Sequence, residues 1–237
     1  TARVTSSHSP SSVKLGEPWV PSVNERPMVG NYGRCRGVRF AAPMSMSHTS
    51  SMHPGEVVSR PAPATIQPEP LLDAGRCQLL VIDVQAQLAA AMPEPTRRRA
   101  LAGLTLLARA ATALGVPATL TEHVPERLGA TVPSLGATLP DATVLAKTHF
   151  CAASDDAIAA HLDARDRPQI VLAGMETHVC VLQAALVLAE RGYAVHLAFD
   201  ASAARDEADA ARARERAMMA GVVPVSADMV AFEWLRR

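Results

Sequence analysis

The sequence predicts an α/β fold, a parallel sheet sandwiched between two layers of helices, and three observations carry that reading. From about Arg76 onward, short apolar runs alternate with longer runs of helical period, the order that builds a parallel sheet through right-handed crossovers. The run Cys77-Gln78-Leu79-Leu80-Val81-Ile82-Asp83-Val84 is almost continuously apolar, as in a strand buried on both faces. Glycines follow three of the helical runs (Gly115, Gly192 and Gly221), where a residue of left-handed conformation closes a helix.

Taken in order, the first strand spans 77–84 and is followed by a helix over 96–114. A second strand, 117–122, leads into a loop rich in Pro and Gly over 124–136. Residues 143–147 form a third strand, and 154–164 a helix with Ser154 as its cap. The fourth strand, 169–173, feeds a helix over 180–191 that Gly192 closes. The fifth strand is 194–199, with a helix over 207–220; the sixth is 222–225, with a terminal helix over 228–235. The expected architecture is a three-layer α/β/α sandwich with a six-stranded parallel sheet. About 160 residues are enough for one sizeable core.

Residues 1–70 read as a different polymer. They hold 10 of the 18 prolines, many serines, and seven basic against four acidic residues. No helical or strand period persists there. Such a segment buries too little apolar surface to offset its ordering entropy, so a disordered tail is expected ahead of a domain at 71–237.

Composition narrows the function classes. The formal net charge is zero, which argues against a nucleic-acid or anionic-membrane partner. No run approaches the roughly 18 apolar residues of a membrane-spanning helix. The four cysteines, Cys35, Cys77, Cys151 and Cys180, form neither a CxxC nor a disulfide framework, and fit a reducing cytoplasm. The turn Asp83-Val84-Gln85-Ala86-Gln87 has no glycine, which argues against a dinucleotide site and leaves no cofactor implied.

Chemistry concentrates at the carboxyl ends of the strands, where open parallel sheets bind ligands. Asp83 follows the first strand, Lys147 ends the third, and Cys180 lies just past the fourth. In Ala173-Gly174-Met175-Glu176-Thr177-His178-Val179-Cys180-Val181, Thr177 is expected as an N-cap, with Cys180 in the first helical turn. There the helix dipole would favour thiolate over thiol. An acid, a cation and a thiol in one crevice can run nucleophilic chemistry on a carbonyl carbon. Gln85, His123, Phe150 and Thr177 are candidates for substrate contact.

Three segments resemble, in order and spacing, the isochorismatase-like cysteine hydrolases: Leu80-Val81-Ile82-Asp83-Val84-Gln85, Lys147-Thr148-His149-Phe150 and Gly174-Met175-Glu176-Thr177-His178-Val179-Cys180-Val181. Thr121-Glu122-His123, Leu128-Gly129-Ala130-Thr131-Val132-Pro133 and Phe232-Glu233-Trp234-Leu235 are similar to the branch of isochorismatase-domain proteins whose substrates are mostly unassigned. The resemblance implies a Rossmann-like topology and an Asp83–Lys147–Cys180 triad. It also implies a cis peptide between Met175 and Glu176, and an oxyanion hole made by the N–H groups of Glu176 and Cys180. The family's isochorismatases proper lack the Cys, so its presence points to thiol-dependent chemistry. Nicotinamidases in the family carry an Asp-x-His metal pair after the second strand; this chain has Glu122-His123-Val124 there, and no metal is assigned. Family members are usually oligomers, and a homo-oligomer is expected.

The resulting expectation is a cysteine-dependent hydrolase that cleaves a small-molecule amide, carbamoyl or related carbonyl substrate through a thioester. Three alternatives stand beside it. One is a catalytically silent interaction or redox-sensing protein. Another is a zinc site built from His149, Cys151, His178 and Cys180. The last is disulfide chemistry, with Cys151 resolving an oxidised Cys180.

Overall fold

The structure, a computed structural model, describes residues 71–236. The expected tail over 1–70, Cys35 included, lies outside the described residues. Six strands form one sheet: β1 (Cys77–Ile82), β2 (Ala118–His123), β3 (Thr143–Lys147), β4 (Gln169–Met175), β5 (Ala194–Ala203) and β6 (Val223–Val225). Their order across the sheet is β3-β2-β1-β4-β5-β6, and every pairing is parallel. The order reverses between β1 and β4, which creates a crevice at their carboxyl ends.

The near-continuous apolar strands are explained by two cores, one on each face. On β1, Leu79 and Val81 pack into one core while Leu80 and Ile82 pack into the other; Val171 and Ala173 against Ile170 and Leu172 divide in the same way on β4. The first core is completed by the helices α2 (Glu94–Leu114) and α8 (Ala227–Leu235), through Leu104, Leu107, Val230 and Trp234. The second takes α5 (Asp156–Asp163), α6 (Leu182–Glu190) and α7 (Glu207–Met219), through Ile158, Leu162, Leu188 and Ala217. Each fully buried Leu or Ile contributes about 1.5–3 kcal/mol, so both faces hold the central strands firmly. Among the described residues no helix is long and apolar enough to cross a membrane.

The elements differ from expectation where turn chemistry is ambiguous. A short helix α1 (Ala86–Ala91) follows β1, and the expected loop at 124–136 contains α3 (Pro125–Leu128) and α4 (Pro133–Thr138). Each of these last two opens on a proline, which breaks a helix interior but suits its first position. The cap of α5 is Asp155 rather than Ser154; its carboxylate accepts from the N–H groups of Ala157 and Ile158, while Ser154 ends a 3₁₀ turn. Strand β5 runs on to Ala203, past its expected end at Phe199. The expected helix over 180–191 begins instead as a π-helical turn, Thr177–Val181, with α6 following. Thr177 is not the cap: that position is Glu176, and no side chain caps the turn.

Gly174 sets the approach of the two strands that frame the crevice. Its φ is +135°, and a Cβ there would lie 2.0 Å from the carbonyl oxygen of Ile82. Only glycine lets β4 pass so close to the end of β1. Asp83 and the turn after Met175 are thereby adjacent.

Candidate active site

Asp83 directly follows β1, with a φ of +52° and no exposed surface. A non-glycine residue in this conformation at a strand end is a local constraint of the kind that clusters at functional sites. Both oxygens of its carboxylate are engaged. The hydroxyl of Thr121 donates to Oδ1 at 2.7 Å, and Nζ of Lys147 donates to Oδ2 at 2.6 Å. Both charged side chains of this pair have no exposure to solvent. Lys147 directs its remaining protons to the carbonyl oxygens of His149 (3.1 Å) and Phe150 (3.2 Å), so all three ammonium donors are used.

Cys180 sits on the π-helical turn, near enough to Asp83 and Lys147 for both charges to act on its thiol. The structure therefore brings Asp83, Lys147 and Cys180 together. The thiol differs from the expected thiolate. Burial, and after it the negative charge of Asp83, pushes Cys180 up to about 12, against the opposing pull of Lys147. Desolvation outweighs any help from the helix dipole, because the turn is buried.

The cis peptide joins Met175 to Glu176. The Glu176 side chain is buried, and its carboxylate is gripped by Arg205. Nε donates to Oε2 at 3.0 Å, Nη2 to Oε1 at 2.9 Å, and the backbone N–H to Oε2 at 3.1 Å. The carbonyl of Glu176 accepts from the N–H groups of Val179 and Val181, which shapes the turn that carries Cys180.

The substrate-contact candidates separate into two groups. His123 and Phe150 flank the strand ends beside Lys147, with ring centroids 5.1 Å apart, and Phe150 is half exposed. Burial first, and then the Lys147 charge, hold His123 below its usual value. Its Nδ1 has no partner among the described residues. Gln85 and Thr177 are buried and do not line a mouth. Gln85 is a brace: its amide N–H₂ donates to the carbonyls of His123 and Gly129, and its Oε1 accepts from the His123 N–H. Two polar residues escaped the sequence reading. Thr121 carried a signal, a hydroxyl inside an apolar run; Arg205, 29 positions from its partner, carried none.

A metal at the nicotinamidase-like position does not fit these residues. The carboxylate of Glu122 accepts from the N–H and hydroxyl of Thr131, at 2.7 and 2.8 Å, and clamps the loop over β2. The zinc alternative meets the same objection, since no three His, Cys, Asp or Glu among the described residues converge to hold a metal ion. Two clefts of about 300 and 270 Å³ open at the opposite, amino edge of the sheet, away from Cys180.

Comparison with known proteins follows the same lines. A family model, the isochorismatase domain, matches residues 77–229. Isochorismatase domain-containing protein 2 of Bos taurus is 37% identical over 121 residues, which cover 51% of this chain and 57% of that protein. The chain spans about half the length of the curated relatives it matches. The YcaC gene product of Escherichia coli, described as an octameric hydrolase of unknown specificity, superposes with a TM-score of 0.68. It is 28% identical, and the match covers 72% of this chain and 85% of that one. YcaC from Pseudomonas aeruginosa, solved with hexane-2,5-diol and covalent acrylamide, has the same TM-score at 25% identity, covering 71% of this chain and 84% of that one.

Proposed function

The chain belongs to the isochorismatase domain family, and on that footing we propose that it is a cysteine-dependent hydrolase of small amide, carbamoyl or related carbonyl compounds. The observation that carries the reading is the solvent-free Lys147–Asp83 pair with the Cys180 thiol against it. A buried ion pair is a poor stability device, because desolvation offsets the Coulombic gain. Placed at the crevice where the strand order reverses, it serves better as a base held ready beside a nucleophile.

The sulfur of Cys180 attacks the substrate carbonyl carbon while its proton passes to Asp83. The carbonyl π pair moves onto oxygen, and the N–H groups of Glu176 and Cys180 stabilise the oxyanion. As the tetrahedral species collapses, Asp83 returns the proton to the departing amine and the C–N bond breaks, leaving a thioester. Water then attacks, giving up its proton to Asp83; the sulfur leaves and regains a proton. Lys147 and Thr121 keep the Asp83 carboxylate oriented throughout. A relative that carries covalent acrylamide supports a nucleophile in this fold. The buried free thiols at Cys77, Cys151 and Cys180 accord with a reducing cytoplasm. The octameric relative favours a homo-oligomer.

The test screens small amides, ureides and esters for turnover, then traps the adduct. Cys180→Ser should abolish turnover, and Asp83→Asn should lower it about 10²–10⁴-fold, with folding retained. An acyl or carbamoyl group located on Cys180 by mass spectrometry supports the route. Near-normal turnover by Cys180→Ser sinks it.

A further inference from the structure

Resting on the reading of Cys180 as nucleophile, we propose that Arg205 is a positioning residue: it sets the reactivity of Cys180 by holding and neutralising the Glu176 carboxylate. Arg205 lies between β5 and α7 and reaches in from the solvent side. Its side chain is 52% exposed, whereas that of Glu176 is 7% exposed. Two guanidinium N–H groups meet the two carboxylate oxygens, at 3.0 and 2.9 Å, and the Arg205 backbone N–H adds a third bond at 3.1 Å. A paired fork of this kind fixes orientation as well as charge.

Glu176 is the pivot of the catalytic turn. It follows the cis peptide, and its carbonyl accepts the N–H groups of Val179 and Val181 on either side of Cys180. At the first turn of α7, Oδ2 of Asp209 lies 3.9 Å from Nε2 of His178. Three charges act on the thiol: Asp83 after β1, Lys147 at the end of β3 and Glu176 after β4. Both carboxylates oppose its ionisation, and Lys147 favours it. Without Arg205, Glu176 would be a buried, uncompensated anion acting on the thiol, and its backbone would lose an anchor. Both effects disfavour thiolate.

The test reads thiol reactivity and needs no substrate. In the full chain, iodoacetamide alkylation of Cys180, located by mass spectrometry, is followed from pH 7 to 10. Arg205→Met should slow it about tenfold across this range, as an upward displacement of the thiol by about one pH unit requires. Glu176→Gln added to Arg205→Met removes the stranded charge, and should bring the rate back to within about threefold of the original. An unchanged rate in Arg205→Met, or a slow rate that persists in the double variant, overturns the proposal. If Arg205→Met does not fold, Arg205→Lys carries the test: an ammonium replaces the fork, and alkylation should slow about threefold. An unaltered rate there overturns the proposal equally. Failure of this coupling leaves the nucleophile reading intact, because adduct formation during turnover is measured separately.

Discussion

At the scale of single residues, the site is governed by desolvation. A thiol pushed up to about 12 stays protonated at neutral pH. On the proposed route, proton transfer to Asp83 accompanies attack. The same burial makes the protein sensitive to alkali. Cys77 and Cys180 are both raised from 9.0 to about 12, and burial is the main cause in each. Between those values the folded state keeps protons that the unfolded state has lost, so stability falls as pH rises. The slope should approach about 1.4 kcal/mol per pH unit for each thiol. Urea unfolding at pH 8 to 11 checks this; Cys180→Ser should remove part of the slope. A flat profile would mean the thiols are not desolvated as described.

At the scale of elements, the site depends on strand ends that meet. Gly174 lets β4 approach Ile82, and a Cβ at 2.0 Å from a backbone oxygen has nowhere to go. Gly174→Ala should lower stability by about 3 kcal/mol or more, since both a main-chain clash and a positive φ oppose it. It should also slow alkylation of Cys180 by parting the two strands. Thermal unfolding with the alkylation assay measures both, and a variant as stable as the parent would contradict the close approach. The loop after β2 is held in an analogous way. Gln85 ties it from the turn after β1 and Glu122 from β2, so residues that looked like substrate or metal contacts hold the loop in place.

At the scale of the whole molecule, exposed apolar side chains lie on helices packed against opposite faces of the sheet. Met218 and Met219 on α7 are 49% and 89% exposed, and Met229, Phe232 and Leu235 on α8 are 49%, 68% and 49% exposed. The methionines therefore do not complete the core, and polarizable, flexible side chains suit a contact between copies. Light scattering at micromolar concentration should find an oligomer, and Met219→Glu with Phe232→Glu should reduce its mass. A monomer in the unaltered protein would remove both patches as self-contacts.

The order of strands and helices was legible in the sequence because period and apolar continuity are local properties, and β1 and β4 announce burial on both faces in their own residues. Asp83, Lys147 and Cys180 were legible for a related reason: a polar residue at the end of a parallel strand points to the crevice whatever surrounds it. The tertiary structure alone decided how those residues behave. The Cys180 thiol is pushed up by burial and by the charge of Asp83, 97 positions earlier in the chain. Gln85 faces inward because the loop at 123–131 brings carbonyls to meet it. Arg205 matters through a carboxylate 29 positions away. Desolvation and hydrogen-bond pairing are sums over neighbours in space, and a period read along the chain contains no record of them.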